Sequence, residues 1–532
     1  MGKKSFVQGA VVLGAAGIVI KVLGAFFRIP LANLIGDEGM GYYQTAYPIY
    51  VLFLTLATAG IPIAISRLVA ERIAVDDYQE AHRVFKISFI LMFCIGAVSA
   101  SICFFGAGTL VGAMGNPGAK YAMMALAPAL LFVPIQAAYR GYFQGMQDMK
   151  PTAISQISEQ FFRVALGLFL AYYLVRYGRE FAAAGASFGA TAGAIGGLIT
   201  VIIVYFTRRS SIKERVHKAK HEHGEKGSAI LAKIFLIAVP VTIGAAIMPI
   251  MNTIDVGIVM RRLQETGWTY EAANSMYGQL TGMAGPLINF PQVLTQAVSM
   301  SLVPAVAAAF KQNDMHFLRE NVQTGLRLSI IIGFPCAVGL MSLSEPIMLL
   351  LYPLQRESAV SAAPCLFVMA FGVIFLSTVQ TLTGILQGVG KQLIPVRNLF
   401  IGAIAKVFIT YTLTGIEAIN VKGAAMGTVA AYIIAATLNL MAVKKYTGAK
   451  FDARLIYLKP GISVLVMAAA TVATHKICVG FVDNSLATLA AVGVAVIVYC
   501  VMLFVTKSIT RDEIATLPKG KTILRIVDKI KR

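Results

Sequence analysis

The 532-residue chain is 57% hydrophobic and 13% charged, with a formal net charge of +21 and a mean hydropathy of +0.74. A soluble domain carries about 25% charged residues, so a soluble globular enzyme is excluded and an all-α polytopic membrane protein is expected. The positive charge does not point to nucleic acid, because Lys and Arg fall mostly in alternate loops, as the positive-inside rule requires.

Fourteen transmembrane helices are predicted, over 6–35, 42–70, 84–113, 120–139, 152–176, 181–206, 229–260, 276–310, 324–351, 359–386, 395–415, 423–443, 459–478 and 485–506. Each approaches or exceeds the ~20 residues that cross ~30 Å of hydrocarbon. The first apolar run is too long for a signal-peptide core, so no cleavable signal is expected. An even count puts both termini on one side, and the basic loops place that side in the cytoplasm.

Span 1 holds Lys21 and Arg28 inside an apolar run. Seven residues is close to two helical turns, so both cations share one face. An intramembrane cation is costly, and two on one face predict a wet cleft that receives an anion. Asp37 and Glu38 follow in a short Gly-rich outer segment, read as a solvated loop or an outer gate. Arg67 lies toward the cytoplasmic end of span 2. On span 5, Glu159 and Arg163 are four residues apart, which suits either an intrahelical pair or a contribution to the cleft. In span 7, Asp255 follows Asn252 and is the carboxylate most exposed to a functional reading, with Lys406 of span 11 or a transported cation as its partner.

The two halves look alike. At an offset of 243, Arg140-Gly-Tyr-Phe-Gln-Gly145 aligns with Thr383-Gly-Ile-Leu-Gln-Gly388, and Arg163-Val164 with Lys406-Val407. Near the same offset Pro62 aligns with Pro304. Six spans per half is even, which predicts two six-helix lobes related by a parallel pseudo-two-fold repeat, plus two extra C-terminal helices. The expected organisation is an N-terminal lobe over 1–206, a basic cytoplasmic linker over 207–228, a C-terminal lobe over 229–445, the two extra spans over 446–506, and a basic amphipathic tail over 507–532. That tail suits an anionic inner leaflet. The six Cys form no CxxC pair, and His217, His221, Glu222 and His223 sit in a polar linker, so no disulfide framework, metal site or cofactor is predicted.

The stretches Lys21–Pro30, Gly60–Glu71, Arg140–Val164 and Ser344–Pro353, with the six-plus-six-plus-two topology, resemble the MurJ/SpoVB-type lipid-linked oligosaccharide flippases of the multidrug/oligosaccharidyl-lipid/polysaccharide exporter superfamily. The resemblance implies a two-lobed transporter with a cationic central cavity and no enzymatic step. It implies a substrate of undecaprenyl pyrophosphate bearing a saccharide, lipid II above all, moved from the inner to the outer leaflet by alternating access. In that family span 1 cations contact the pyrophosphate, the place held here by Lys21 and Arg28. Arg67, Arg163 and Glu159 complete the expected substrate set. The further span 2 Arg of the proteobacterial branch has no counterpart near Leu52. The last two spans form a lipid-tail groove in such proteins, and some carry a sodium site between spans 7, 11 and 12, for which Asp255 and Asn252 are the candidates. Coupling to Na+, to H+ or to the membrane potential is expected, in a monomer of the bacterial cytoplasmic membrane, with membrane lipids and cell-wall synthesis enzymes as its neighbours. The alternative is a cation-coupled multidrug exporter of the same superfamily. It would need an acid in the N-terminal lobe, where span 1 offers only cations.

Overall fold

A computed structural model describes residues 3–218, 225–449 and 451–508; the side chains of 3–15, 18, 21, 25, 211, 213, 215, 217 and 218 lie outside the described set. The described chain is helical, without strands. Among the described residues, twelve helical stretches are long and apolar enough to cross a membrane. The second half of predicted span 1 and all of predicted span 2 fall in a single stretch, Val22–Ile73. Predicted span 5 is the helix Lys150–Leu174, which is not among the twelve because Gln156, Glu159, Gln160 and Arg163 crowd its first half.

The helices pack into two compact units, residues 1–283 with 415–418, and 284–414 with 419–532. The first unit contains α1 (Lys3–Thr58), α2 (Ile61–Ile73), α3 (Tyr78–Phe105), α4 (Ala107–Ala113), α5 (Lys120–Leu126), α6 (Ala129–Gly145), α7 (Lys150–Leu174), α8 (Arg179–Lys218), α9 (Gly227–Glu265) and α10 (Tyr270–Gly278). The second contains α11 (Gly285–Lys311), α12 (Met315–Ser342), α13 (Ser344–Leu351), α14 (Arg356–Gly388), α15 (Leu393–Thr414), α16 (Lys422–Thr447), α17 (Lys459–Cys478) and α18 (Asn484–Val505).

The outer loop expected after span 1 is not a loop. Helix α1 runs through it and is broken at one residue, Gly36, with φ 72° and ψ −177°. Only glycine enters that region without strain. The carbonyl of Leu34, freed by the break, accepts from Arg179 Nη1 at 3.1 Å, and Asp37 Oδ1 accepts from the Glu38 amide at 2.8 Å. One positive φ with a capping group at each side replaces the loop.

The repeat is visible as local packing inside each unit. In the α7–α8 pair, a Cβ built at Gly185 would lie 2.8 Å from Leu170 C, and one at Gly189 would lie 2.6 Å from Arg163 O. In the α15–α16 pair, the same construction at Gly423 meets Leu413 C at 2.6 Å, and at Gly427 meets Lys406 O at 3.1 Å. Leu170 with Leu413, and Arg163 with Lys406, are therefore equivalent by packing at the 243-residue offset. Small residues let helix backbones approach this closely in lipid, where van der Waals packing drives association. The Pro62–Pro304 alignment is corrected: Gly141 of α6 faces Pro62 O, whereas its counterpart Gly384 of α14 faces Ser299 O. By packing, Ser299 is the equivalent of Pro62.

In the second unit, α17 docks on α12 through Ile331, Val464 and Met467. The Tyr499 hydroxyl of α18 donates to Ile331 O at 2.7 Å, and Asn484 Nδ2 donates to Pro346 O at 3.2 Å. Buried Asn398 and Asn439 join α15 to α16 at 2.9 Å. The tail expected to be amphipathic lies beyond residue 508, outside the described residues.

Candidate functional site

The site is built on the α6–α7–α8 packing of the first unit. Close approach continues down α8: a Cβ at Gly193 would lie 2.5 Å from Glu159 O and 3.0 Å from Arg163 Cβ. The glycine stripe on α8 thus holds the backbone of α7 and leaves its polar side chains facing α6. There Arg140 Nη2 binds Glu159 Oε2 at 3.0 Å, and Arg140 Nε donates to Ser155 Oγ at 2.8 Å. Arg163 Nη2 lies 3.5 Å from the other carboxylate oxygen, Glu159 Oε1. Side-chain exposures of 13% for Arg140, 18% for Glu159 and 19% for Arg163 take this network largely out of water.

Helix α1 packs on α7 beside it. Gly24 meets Gln160 Nε2, and Phe27 packs on Gly167, which brings the half-buried Arg28 to the same pair of helices. Beyond the Gly36 break, Tyr43, Tyr47 and Tyr50 follow the i, i+4, i+7 spacing of one helix face. Their rings run in sequence, with centroids 5.6 and 5.9 Å apart. All three tyrosines interact electrostatically with Arg163, and Tyr43 also with Arg28. Three buried groups here have no hydrogen-bond partner among the described residues: Arg163 Nε, the Tyr50 hydroxyl, and the side-chain amide of Gln136, whose residue is 0% exposed.

Buried polar groups are normally satisfied. Arg163 Nε offers a donor only, the Tyr50 hydroxyl and the Gln136 amide can also accept, and two guanidinium groups share one carboxylate. The arrangement fits an anionic, acceptor-rich guest, and Arg geometry suits bidentate phosphate contact.

A second polar cluster lies at the Gly36 break. Gln279 Nε2 donates to Asp37 Oδ2 at 2.8 Å, Tyr42 Oη to Glu38 Oε1 at 3.0 Å, and Asn274 Nδ2 to Glu38 O at 2.8 Å. Asn116 Nδ2 donates to Asn274 Oδ1 at 2.7 Å and to Thr45 Oγ1 at 2.8 Å. Helix α10 and the turn after it are thereby tied to α1, so Asp37 and Glu38 are latched groups rather than solvated ones.

Other predicted residues lie apart from these clusters. Arg67 is 66% exposed and pairs with Glu71 at 2.8 Å on its own helix. Asp255 is half-buried on α9 within electrostatic range of Tyr277, and Asn252 one turn earlier is exposed. Lys406 belongs to the second unit, half-buried on α15 near Tyr432. The Lys21 side chain, and the linker residues His217, His221, Glu222 and His223, lie outside the described residues. Among the described residues no three His, Cys, Asp or Glu side chains cluster as a metal site would need. Arg140 entered the sequence reading only through the repeat motif and not as a site residue, and Gln136 and the tyrosine face did not enter it. The i, i+4, i+7 tyrosine spacing was the one available signal.

The sequence model of the family described as "Polysaccharide biosynthesis protein" matches residues 6–310, and that of the family described as "MatE" matches residues 281–412. "Stage V sporulation protein B" of Bacillus subtilis (strain 168) is 28% identical over 528 residues, 99% of this chain and 100% of that protein. "Lipid II flippase MurJ" of the same organism is 26% identical over 519 residues, 93% of this chain and 94% of that protein. Two solved structures share the fold. One, titled "Lipid II flippase MurJ, inward closed conformation", has a TM-score of 0.68 at 17% identity and covers 92% of this chain and 98% of its own. An inward-facing multidrug resistance MATE family transporter of the MOP superfamily gives 0.68 at 15% identity, covering 82% and 98%.

Proposed function

Because the chain belongs to the polysaccharide biosynthesis protein family, we propose that this multi-pass membrane protein, a transporter and not an enzyme, carries an anionic lipid-linked saccharide across the bacterial cytoplasmic membrane. The substrate class is undecaprenyl pyrophosphate bearing a saccharide, with lipid II as the first candidate. The observation that carries this reading is the surplus of positive charge inside transmembrane helices: Arg140 and Arg163 share the single carboxylate of Glu159, and Arg28 lies within electrostatic range of Tyr43, as Arg163 does. Names of full-length relatives support it, since one of them is a lipid II flippase.

The physical task is to exchange the headgroup's water for a cationic cleft while the prenyl tail stays in lipid. Arg28, Arg163 and Lys21 receive the pyrophosphate, and spans 13 and 14 guide the tail. With the lobes bounded as the sequence suggests, at 1–206 and 229–445, alternating access requires the Asp37–Gln279 and Glu38–Asn274 latch between them to part when the cleft opens outward. With both termini cytoplasmic and a negative interior, outward movement of an anion is favoured by roughly 2.3 kcal/mol per charge per 100 mV. Asp255 and Asn252 are the residues for cation coupling in this scheme.

The MatE match over 281–412 favours one competing reading, a cation-coupled drug exporter. A guanidinium-rich first unit repels organic cations, which ranks it second. The test is rescue of a strain depleted of its own lipid II flippase. The parent chain should rescue, and the Lys21→Ala/Arg28→Ala double variant, inserted at equal level, should not. Rescue by the variant would remove the cleft, and cationic-dye resistance without rescue would favour the exporter.

A further inference from the structure

The Glu159 carboxylate has two cationic partners held in unlike ways. Arg140 is fixed at two points, by Glu159 Oε2 at 3.0 Å and by Ser155 Oγ at 2.8 Å. Arg163 reaches Oε1 only at 3.5 Å, outside the 2.7–3.2 Å of a good N–H···O bond, and its Nε has no partner among the described residues. Of the two contacts, the one with Arg163 is the releasable one.

A place for Glu159 to go is already present. Gln136 is 0% exposed, and neither its amide nitrogen nor its oxygen has a hydrogen-bond partner among the described residues. It sits one turn before Arg140 on α6 and faces the same neighbours. A Cβ built at Gly197 would lie 2.0 Å from Gln136 Nε2 and 3.0 Å from Glu159 Cβ, so the two side chains meet over one glycine. A buried amide is normally paired, and here the carboxylate that shares Gly197 with it is engaged by Arg140 and Arg163.

We propose that Glu159 is a resident counter-anion for Arg163: the incoming phosphate takes Arg163, and Glu159 turns to accept from Gln136 Nε2 while Arg140 keeps hold of it. This rests on the substrate reading above. It makes Glu159 a group that weakens binding and speeds release, and Gln136 a positioning residue whose hydrogen bond exists only in the loaded state. The exchange is one of hydrogen bonds and ion pairs, and no proton moves.

The experiment uses the purified full-length chain in detergent, with undecaprenyl pyrophosphate as the probe and inorganic pyrophosphate as a tail-free control. Glu159→Gln should bind the lipid about tenfold more tightly, some 1.4 kcal/mol, and flip it more slowly in vesicles. Gln136→Leu should keep the parent's Tm, since it breaks no bond of the empty state, and bind more weakly. If Glu159→Gln is too unstable to purify, Glu159→Asp shortens the reach to Arg163 and should tighten binding in the same direction. Unchanged or weaker binding by a folded Glu159 variant, while Arg163→Ala weakens binding, overturns the counter-anion role and leaves the substrate reading standing. A lower Tm with unchanged binding in Gln136→Leu also overturns it. Binding that ignores both Arg163→Ala and Arg28→Ala overturns the substrate reading itself.

Discussion

Arg140→Met is the sharpest test of whether the α6–α7 network is built as described. Arg140 and Glu159 are 13% and 18% exposed and 3.0 Å apart. Removing one partner of such a pair strands the other charge, at about 3–5 kcal/mol. Arg163 remains within 3.5 Å to share Glu159, which places the expected loss at the lower end, ~3 kcal/mol. That is more than about a hundredfold in the unfolding equilibrium. Replacing both partners leaves no stranded charge, so Arg140→Met/Glu159→Met should recover most of the loss while transport stays impaired. The assay is unfolding in mixed micelles titrated with denaturing detergent, on the full chain. A single variant within about 0.5 kcal/mol of the parent, a surface-pair value, would refute the reasoning. So would a double variant as unstable as the single.

Further outcomes follow from other contacts. Asp37→Cys/Gln279→Cys, at positions whose side chains bond at 2.8 Å, should cross-link under oxidation and stop transport, with recovery on reduction; a cross-linked chain that still flips would deny that the latch opens. Glu225 accepts from Lys233 at 2.5 Å and pairs with Arg72 at 2.6 Å, and these bonds hold its carboxyl below the usual range. A lowered value means its contribution is complete above the ordinary carboxylate range and is lost as pH falls through and below it. Tm should therefore be flat in this respect from pH 8 to about 5.5, and Glu225→Gln at pH 7 should mimic the acid side; a Glu225→Gln Tm equal to the parent's at pH 7 would contradict this. Asp255→Asn should abolish any sodium stimulation of transport in vesicles, and stimulation that survives would move cation coupling away from α9.

Hydropathy and charge placement made the all-helical class readable, because lipid leaves few alternatives to helices, and short residue matches at one offset made the repeat readable. The Arg163–Lys406 pairing, found as a two-residue match, recurs in the packing of Gly189 and Gly427. What escaped was tertiary. Arg140 entered only as part of the repeat motif, one residue past predicted span 4, because its acid lies 19 residues away on the next helix. Gln136 has no periodic signature, since its meaning comes from Gly197 across the packing seam. Asp37 and Glu38 read as a loop because a Gly-rich, charged segment usually is one, yet one positive φ at Gly36 was enough to turn the chain. Arg67 carried the right charge at a plausible depth, but its helix face turns it to Glu71.

The central claim is that guanidinium groups of the first unit hold the travelling pyrophosphate. Its most direct test is flipping of a fluorescent undecaprenyl-pyrophosphate saccharide in vesicles carrying an imposed potential. The parent should move the lipid faster when the receiving side is positive, and Arg28→Ala/Arg163→Ala should reduce transport to the protein-free rate while remaining folded. Equal rates for parent and variant, at any potential, would contradict the account.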